Sequence, residues 1–384
     1  MSKLIDFCIN ITDGEHNTVL KDKNTGYYLL ANENLINGEV TFSKDDREIS
    51  KEQFDKIYRR CKIEDGDILV STVGELGKLA IVECYNKNYV FQRSVGLIKP
   101  DKDKLSPYYL YYLLSSENAQ KKIKYLSYGS MQKGLTLDAL KNFEVDFPTN
   151  VDMQEEIIKS LRLIDAQIKR NNAVVQKLQV LSQTIFDKFY RNKMLKFNGT
   201  LNDICSLPSG YSFKPISYIS NGKYDLVTIK NVNGIFVDYQ KINKINEIPD
   251  NLKSYCKLNI GDILISLTGN VGRISINTSS NALLNQRVSI ILCKNYKYKL
   301  YIYLLLNNPY YQLKINQIAN GTSQKNLSPL DIEKLKIYIP NDIKEFDNAT
   351  KNILNQMCKI NLLTNKLLDI KNKILPLLIN GQLQ

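Results

Sequence analysis

Apolar residues along this chain fall into two textures, and the pair of textures occurs twice. The first texture is short and β-like. Ile68 to Ser71, Leu79 to Val82 and Val95 to Ile98 are apolar, β-branched runs bounded by turn residues, which predicts buried strands. Ile263 to Ser266, Ile274 to Ile276 and Val288 to Leu292 repeat the series. A helical run follows in each half, Tyr108 to Leu114 and Leu300 to Leu306. Then come a Gly-containing polar loop, one more strand (Phe143 to Phe147; Leu335 to Ile339) and a proline, Pro148 or Pro340. Beyond each proline the second texture begins, with apolar residues at alternating steps of three and four. In the first copy these are Leu161, Ile164, Ile168, Val175, Leu178, Ile185 and Phe189, with polar Asn171 and Ser182 on the same seam. In the second they are Ile353, Ile360, Leu363, Leu367, Ile370, Ile374 and Leu377. Heptad seams of this length predict two long helices. Their pairing is expected to be antiparallel, because a parallel pair would make the second module stretch back along the whole rod.

The repetition extends to particular residues. Gly66-Asp67-Ile68-Leu69, leading to Gly74-x-x-Gly77-Lys78, returns 195 residues later as Gly261-Asp262-Ile263-Leu264, leading to Gly269-x-x-Gly272-Arg273. Gln92-Arg93 returns after 194 as Gln286-Arg287. Gly129-Ser130-Met131-Gln132-Lys133 returns after 192 as Gly321-Thr322-Ser323-Gln324-Lys325, and Pro148 returns as Pro340 at the same spacing. Motifs in one order with so little drift describe a duplicated domain, far longer than a solenoid unit. The stretch Asn192 to Thr200 links the first long helix to the second module.

Charge narrows the partners. The 384 residues hold 52 Lys+Arg against 39 Asp+Glu, a net charge of +13, which suits a polyanion. A Lys- and Asn-rich composition of this kind also arises without such a partner. Seven cysteines stand singly, so neither a disulfide framework nor a zinc site is expected, and free thiols suit a reducing cytoplasm. No apolar run approaches the length of a membrane span, and a soluble cytoplasmic protein is the expectation.

Chemistry is scarce. With His16 as the sole histidine, a Ser-His-Asp triad or a multi-histidine metal site has no material, and no metal ligand set is expected. His16 itself reads as a surface-loop residue or a DNA contact. No phosphate-cradling Gly-rich loop is present. Asn308-Pro309-Tyr310 resembles part of an adenine-methyltransferase tetrapeptide but lacks its second proline, and it reads as a helix terminus. No catalytic residue is therefore assigned.

The candidate binding residues are those of the repeats. The Gly-x-x-Gly segments, with Ser71, Thr72 and Lys78 in one copy and Ser266, Thr268 and Arg273 in the other, read either as loops lying on phosphates or as plain hairpin turns. Gln92, Arg93, Gln286 and Arg287 could hydrogen-bond base edges, since arginine matches guanine and glutamine matches adenine; the alternative is an arginine tied to a carboxylate inside its module. Ser130, Gln132, Lys133, Thr322, Gln324 and Lys325 supply hydroxyl, amide and ammonium groups suited to phosphates and base edges, or form a solvated loop.

Taken together, the duplicated Gly-Asp-Ile-Leu…Gly-x-x-Gly, the Gln-Arg pairs, the Gly-Ser/Thr-x-Gln-Lys loops and the strand–proline–helix junctions resemble the specificity subunit of a type I restriction–modification system, from end to end. At the junctions Pro148 is followed by Gln154, and Pro340 by Glu345-Phe346. The resemblance implies an α+β protein of two tandem α/β target-recognition domains, each followed by a long helix, the helices forming an antiparallel coiled coil. The bounds would be residues 1–150 and 196–342 for the domains and 151–195 and 343–384 for the helices. It further implies a non-catalytic chain that recognises a bipartite, asymmetric site in double-stranded DNA, with the helices fixing the spacing of the half-sites. Two methyltransferase subunits would dock and bind S-adenosylmethionine, for adenine methylation, and restriction translocase subunits could join; this chain would bind no cofactor. The competing readings are a methyltransferase or nuclease fused to its own specificity domains, and a coiled-coil scaffold with no DNA role.

Overall fold

The computed structural model describes residues 2–128, 134–240, 242–319, 321 and 325–382. The chain divides into two units, residues 1–166 with 368–384, and residues 167–367. Its helices are α1 (Lys51–Cys61), α2 (Pro107–Ser115), α3 (Glu117–Tyr128), α4 (Leu137–Lys141), α5 (Val151–Tyr190), α6 (Lys299–Asn307), α7 (Pro309–Ile318), α8 (Pro329–Glu333) and α9 (Ile343–Ile379).

In the first unit Ile68–Ser71 is an inner strand, flanked antiparallel by Leu79–Ile81 and by Val95–Pro100, which in turn pairs with Cys8–Asp13. Both faces of Ile68–Ser71 are buried. Alternation along the strand sends Ile68 and Val70 into a core shared with α2, α3 and α5, and Leu69 into a second core against α1. That second core holds a small sheet the chain pattern did not announce, in which Tyr28–Leu30 pairs antiparallel with Arg47–Glu48 and parallel with Tyr89–Phe91. The second unit repeats the plan. Ile263–Ser266 lies between Ile274–Ile276 and Val288–Ile290, and Tyr224–Val227 pairs parallel with Ala282–Leu284. Ile263 and Ile265 enter one core and Leu264 the other. The expected strands Phe143 to Phe147 and Leu335 to Ile339 shrink to Glu144–Val145 and Lys336–Ile337, each paired with a two-residue strand at its module's entrance.

The long helices pair antiparallel, as partner numbers show by moving in opposite directions. Asp165 meets Lys371 and Asn171 meets Thr364, and just past the helix ends Lys193 meets Asp342. In the first unit Ile158 and Leu161 pack with Leu375; in the second Phe186 and Tyr190 pack with Phe346, with ring centroids 5.3 to 6.3 Å apart. On α5 the expected seam residues Leu161 and Val175 are buried, and Ile164, Ile168, Leu178 and Ile185 are half-buried. On α9 Ile353, Ile360, Leu367 and Ile374 also turn inward. Leu363, Ile370 and Leu377 do not: they are 56%, 48% and 36% exposed. The alternate seam position lies one residue further on and is partly polar, occupied by Met357, Thr364, Lys371 and Leu378. Apolar periodicity therefore misplaces that half of the seam.

The polar seam residues are satisfied by partners. Lys371 Nζ lies 2.6 and 2.7 Å from the Asp165 carboxylate oxygens, and the Tyr112 hydroxyl donates to the same carboxylate at 2.7 Å. Asn171 Nδ2 donates to Thr364 Oγ1 at 3.1 Å, and that hydroxyl donates to the Ile360 carbonyl. Gln154 is fully buried; its amide bonds the carbonyls of Lys104 and Pro148 and receives the Ser106 N–H, tying α5 to the start of α2.

The glycine segments are hairpin turns. Gly74, Gly77, Gly269 and Gly272 all have φ between +72° and +78°, where a side chain is strained. The second glycine of each turn is pressed by a helix: a Cβ on Gly272 would stand 2.6 Å from Ile315 Cγ2, and one on Gly77 2.8 Å from the end of Gln120. Ser71 and Ser266 clasp these turns, donating to the carbonyls of Glu75 and Asn270 and accepting from the N–H groups of Lys78 and Arg273.

Two outcomes are expected. Gly272→Ala should destabilise the second unit by roughly 2–4 kcal/mol, because strain and a branched neighbour combine, whereas Gly77→Ala should cost less since the Gln120 amide can swing away; urea unfolding curves of the two variants test the order. A double-mutant cycle on Asp165→Ala and Lys371→Ala should return a coupling of about 1 kcal/mol that shrinks as salt rises, and no measurable coupling would remove the pair from the list of contacts that fix the helix register.

Candidate nucleic-acid interface

In each unit three segments distant in sequence meet at the C-terminal end of the inner strand. In the first, Thr72 N–H donates to the Ser94 carbonyl at 2.9 Å, Thr72 Oγ1 to the Arg93 carbonyl at 3.0 Å, and Leu135 N–H to the Thr72 carbonyl at 2.9 Å. In the second, Leu267 N–H donates to the Arg287 carbonyl at 3.0 Å, Leu327 N–H to the Leu267 carbonyl at 2.8 Å, and Gly269 N–H to the Lys325 carbonyl at 2.9 Å. The glycine turn, the Gln-Arg turn and the end of the polar loop thus form one edge. Such edges exist because the strand has no solvated face: polar side chains can collect only where it ends.

The matched dipeptides do not occupy matched places. Val95 N–H closes a turn on the Gln92 carbonyl, and Val288 N–H closes the corresponding turn on Asn285. Arg93 N–H bonds the Glu15 carbonyl where Gln286 N–H bonds the Tyr211 carbonyl, and Ser94 stands to Thr72 as Arg287 stands to Leu267. By hydrogen-bond register the spacing here is 193 residues, not the 194 that aligns the letters. Arg93 is the first central residue of its turn and Arg287 the second of its own. Both are exposed. Arg287 Nη1 approaches Thr268 Oγ1 at 3.2 Å and Asn326 Oδ1 at 3.5 Å, and Thr268 Oγ1 also lies 3.1 Å from Asn326 Oδ1. The alternative of an arginine locked to a carboxylate does not hold: no ion pair joins Arg93 or Arg287 among the described residues.

The other candidates sort by exposure. Ser71 and Ser266 are buried and their hydroxyls are consumed by the turns, so they shape the edge and offer it no free group. Thr72 and Thr268 are also buried, their hydroxyls turned to Arg93 and Asn326. Gln92 and Gln286 are half-buried, and Gln286 Oε1 is buried without a hydrogen-bond partner among the described residues. Lys78 pairs with Glu75 at 3.0 Å, Arg273 is exposed, and Lys325 is exposed. Ser130, Gln132, Lys133, Thr322 and Gln324 lie outside the described residues. His16 is exposed and 2.8 Å from the Asp13 carboxylate.

Periodicity missed two contributors. Asn326 gives the second edge its amide oxygen, and Asn32 Nδ2 donates to the Val73 carbonyl at 3.0 Å on the first. Gly14 and Gly210 are a further matched pair, each seated against the carbonyls just before the arginine turn, where a Cβ would stand 2.1 or 2.3 Å from oxygen. Isolated glycines and asparagines in this Asn-rich chain carry no signal until the strands are placed.

Comparison with known proteins agrees with this architecture. The family model described as "Type I restriction modification DNA specificity domain" matches twice, over residues 17–180 and 196–372. The EcoBI specificity subunit of Escherichia coli is 33% identical over 153 residues, covering 38% of this chain and 31% of that protein. The MjaIX specificity subunit of Methanocaldococcus jannaschii is 25% identical over 389 residues, covering 91% of this chain and 85% of its own. The crystal structure of a type I restriction–modification S subunit from M. genitalium superposes with a TM-score of 0.56 at 16% identity, covering 98% and 95% of the two chains, and so shares the fold. With two copies of the domain spanning most of its length, the chain belongs to the type I restriction–modification DNA-specificity family, whose members recognise sequence and leave catalysis to other subunits.

Proposed function

We propose that each unit reads one half of a bipartite, asymmetric DNA site with the edge at the end of its inner strand. The chain then directs adenine methylation and restriction by the subunits that assemble on it. The observation that carries this reading is the edge itself: three segments converge in each copy and present an exposed arginine from a rigid turn. Arginine on a turn can reach guanine O6 and N7 in the major groove or straddle a phosphate. The two arginines sit at successive turn positions, so they would meet different bases, as an asymmetric site requires. The net charge of +13 favours approach to duplex DNA. Two methyltransferase subunits would supply S-adenosylmethionine binding and the methyl transfer, with restriction subunits joining them, and this chain would hold no cofactor.

DNA retention should fall steeply with salt, with a log–log slope near one per phosphate neutralised. Arg93→Ala and Arg287→Ala should each weaken specific binding by roughly 1–3 kcal/mol and relax the sequence at one half-site only. Methylome sequencing of cells carrying each variant reads the two halves separately. A variant that blurs both halves, or neither, would count against division of labour between the units.

A further inference from the structure

The second unit carries a basic groove, and at the equivalent positions of the first unit stands an acid–base pair. The groove, of about 650 Å³, lies between α7, α8 and the strand Lys336–Ile337, and Phe197, Tyr310, Ile318, Lys314, Lys334 and Lys336 are among the residues that line it. Its wall is partly apolar, with Phe197 41% exposed. Lys314 Nζ sits 5.7 Å from the Tyr310 ring centroid, and Lys334 is paired with Asp331 at 3.2 Å. Lys314 and Lys336 have no ion pair or side-chain hydrogen bond from their ammonium groups among the described residues.

The duplication shows what has changed. Gln120 donates to the carbonyls of Gly77 and Leu114, and Gln312 donates to those of Gly272 and Leu306, so α3 and α7 are equivalent at a spacing of 192 residues. Lys3 opposes Glu144 in the first unit as Thr200 opposes Lys336 in the second. Lys314 therefore corresponds to Lys122, and Lys336 to Glu144. In the first unit Lys122 Nζ is 3.1 Å from Glu144 Oε2 and 4.9 Å from the Phe143 ring. In the second the carboxylate has become a lysine and the phenylalanine Leu335. Lys314 and Lys336 now face one cleft whose carboxylate, Asp331, is paired with Lys334, so the lining carries an excess of positive charge that an incoming anion would relieve. Gln312 and Ile315 hold the face of α7 that meets the Gly272 turn, whereas Tyr310, Lys314 and Ile318 line the groove. The groove is thus a feature apart from the arginine edge.

We infer that this groove docks an acidic segment of a partner protein, its carboxylates on Lys314 and Lys336 and its apolar side chains on Phe197, Tyr310 and Ile318. A concave, half-apolar wall suits a peptide better than the uniformly charged backbone of a duplex, and complementary charge would set both on-rate and orientation. The partner that the proposed function supplies is the methyltransferase subunit, and the inference rests on that reading. Because Glu144 stands in the first unit where Lys336 stands in the second, one of two docking events should depend on this lysine pair.

The test titrates the purified methyltransferase subunit of the same system into the full chain, by calorimetry at two salt concentrations, with duplex DNA retention measured in parallel. Lys336→Glu rebuilds the acid–base pair of the first unit and should keep the thermal midpoint while weakening one binding step by roughly tenfold or more, most at low salt. Lys314→Gln should weaken the same step less and serves as the second variant if the first fails to fold. Unchanged affinity in both variants would overturn the inference and leave the proposed function standing. Loss of DNA retention with intact subunit binding would overturn it in favour of a phosphate contact. Absence of any binding by the unmodified chain would overturn both.

Discussion

Burial of the inner strand on both faces governs the molecule. Ile68–Ser71 and Ile263–Ser266 alternate between two apolar layers, so neither strand has a side that tolerates a polar group without an internal partner. Burying each such aliphatic side chain contributes roughly 1.5–3 kcal/mol, and the helices and the smaller sheet are held in place by covering them. The same constraint locates function. Ser71 and Ser266, the last residues of the two strands, spend both donor and acceptor capacity on the glycine turn, and arginine reaches solvent only at the edge beyond the strand ends. A buried strand ending in a glycine turn pressed by a helix fixes where the arginine backbone stands, which sequence readout by hydrogen bonds demands.

Duplication supplies two such edges, and divergence makes them different by small means. A one-residue change of spacing moves arginine from the first to the second central position of one turn while every strand hydrogen bond around it is kept. A successive turn position alters the direction of the side chain without disturbing the core. The lining beside α7 departs from its twin chiefly by a reversal of charge, Glu144 to Lys336, on strands that pair in the same register. In both cases the apolar layers are conserved between the copies and the polar groups at their margins are not.

What was legible in the chain follows from the same division. Strands with continuous β-branched runs, both heptad positions of α5 and one of α9 were readable, because burial imposes their period. The parallel pair Tyr28–Leu30 and Tyr89–Phe91 was not, since three residues give no period and the partners lie far apart in sequence. The other heptad position of α9 was misassigned to Leu363, Ile370 and Leu377 because Thr364 and Lys371 look polar alone; only the opposite helix, with Asn171 and Asp165, shows why they face inward. The matched Gln-Arg letters likewise suggested one shared place, and hydrogen-bond register separates them. Interactions that depend on a remote partner leave no periodic trace.

Those polar seam residues have a consequence for assembly. An aliphatic seam would pair the first long helix with the second, with itself or with another copy at nearly equal cost, since leucine contacts are indifferent to partner and slip readily by a heptad. Asp165 is matched by Lys371, whereas the residue 192 positions before Lys371, its counterpart on the first helix, is Gln179, which offers no charge. A half-buried carboxylate left without its cation loses far more than a surface ion pair contributes, so the mismatch penalises pairing of like helices. Asn171 and Thr364 act in the same direction by hydrogen bonding. The helix pair thus gives up some apolar burial, the exposed Leu363 and Ile370 being the visible sign, and in exchange the two halves of the chain are bound to each other in a single register.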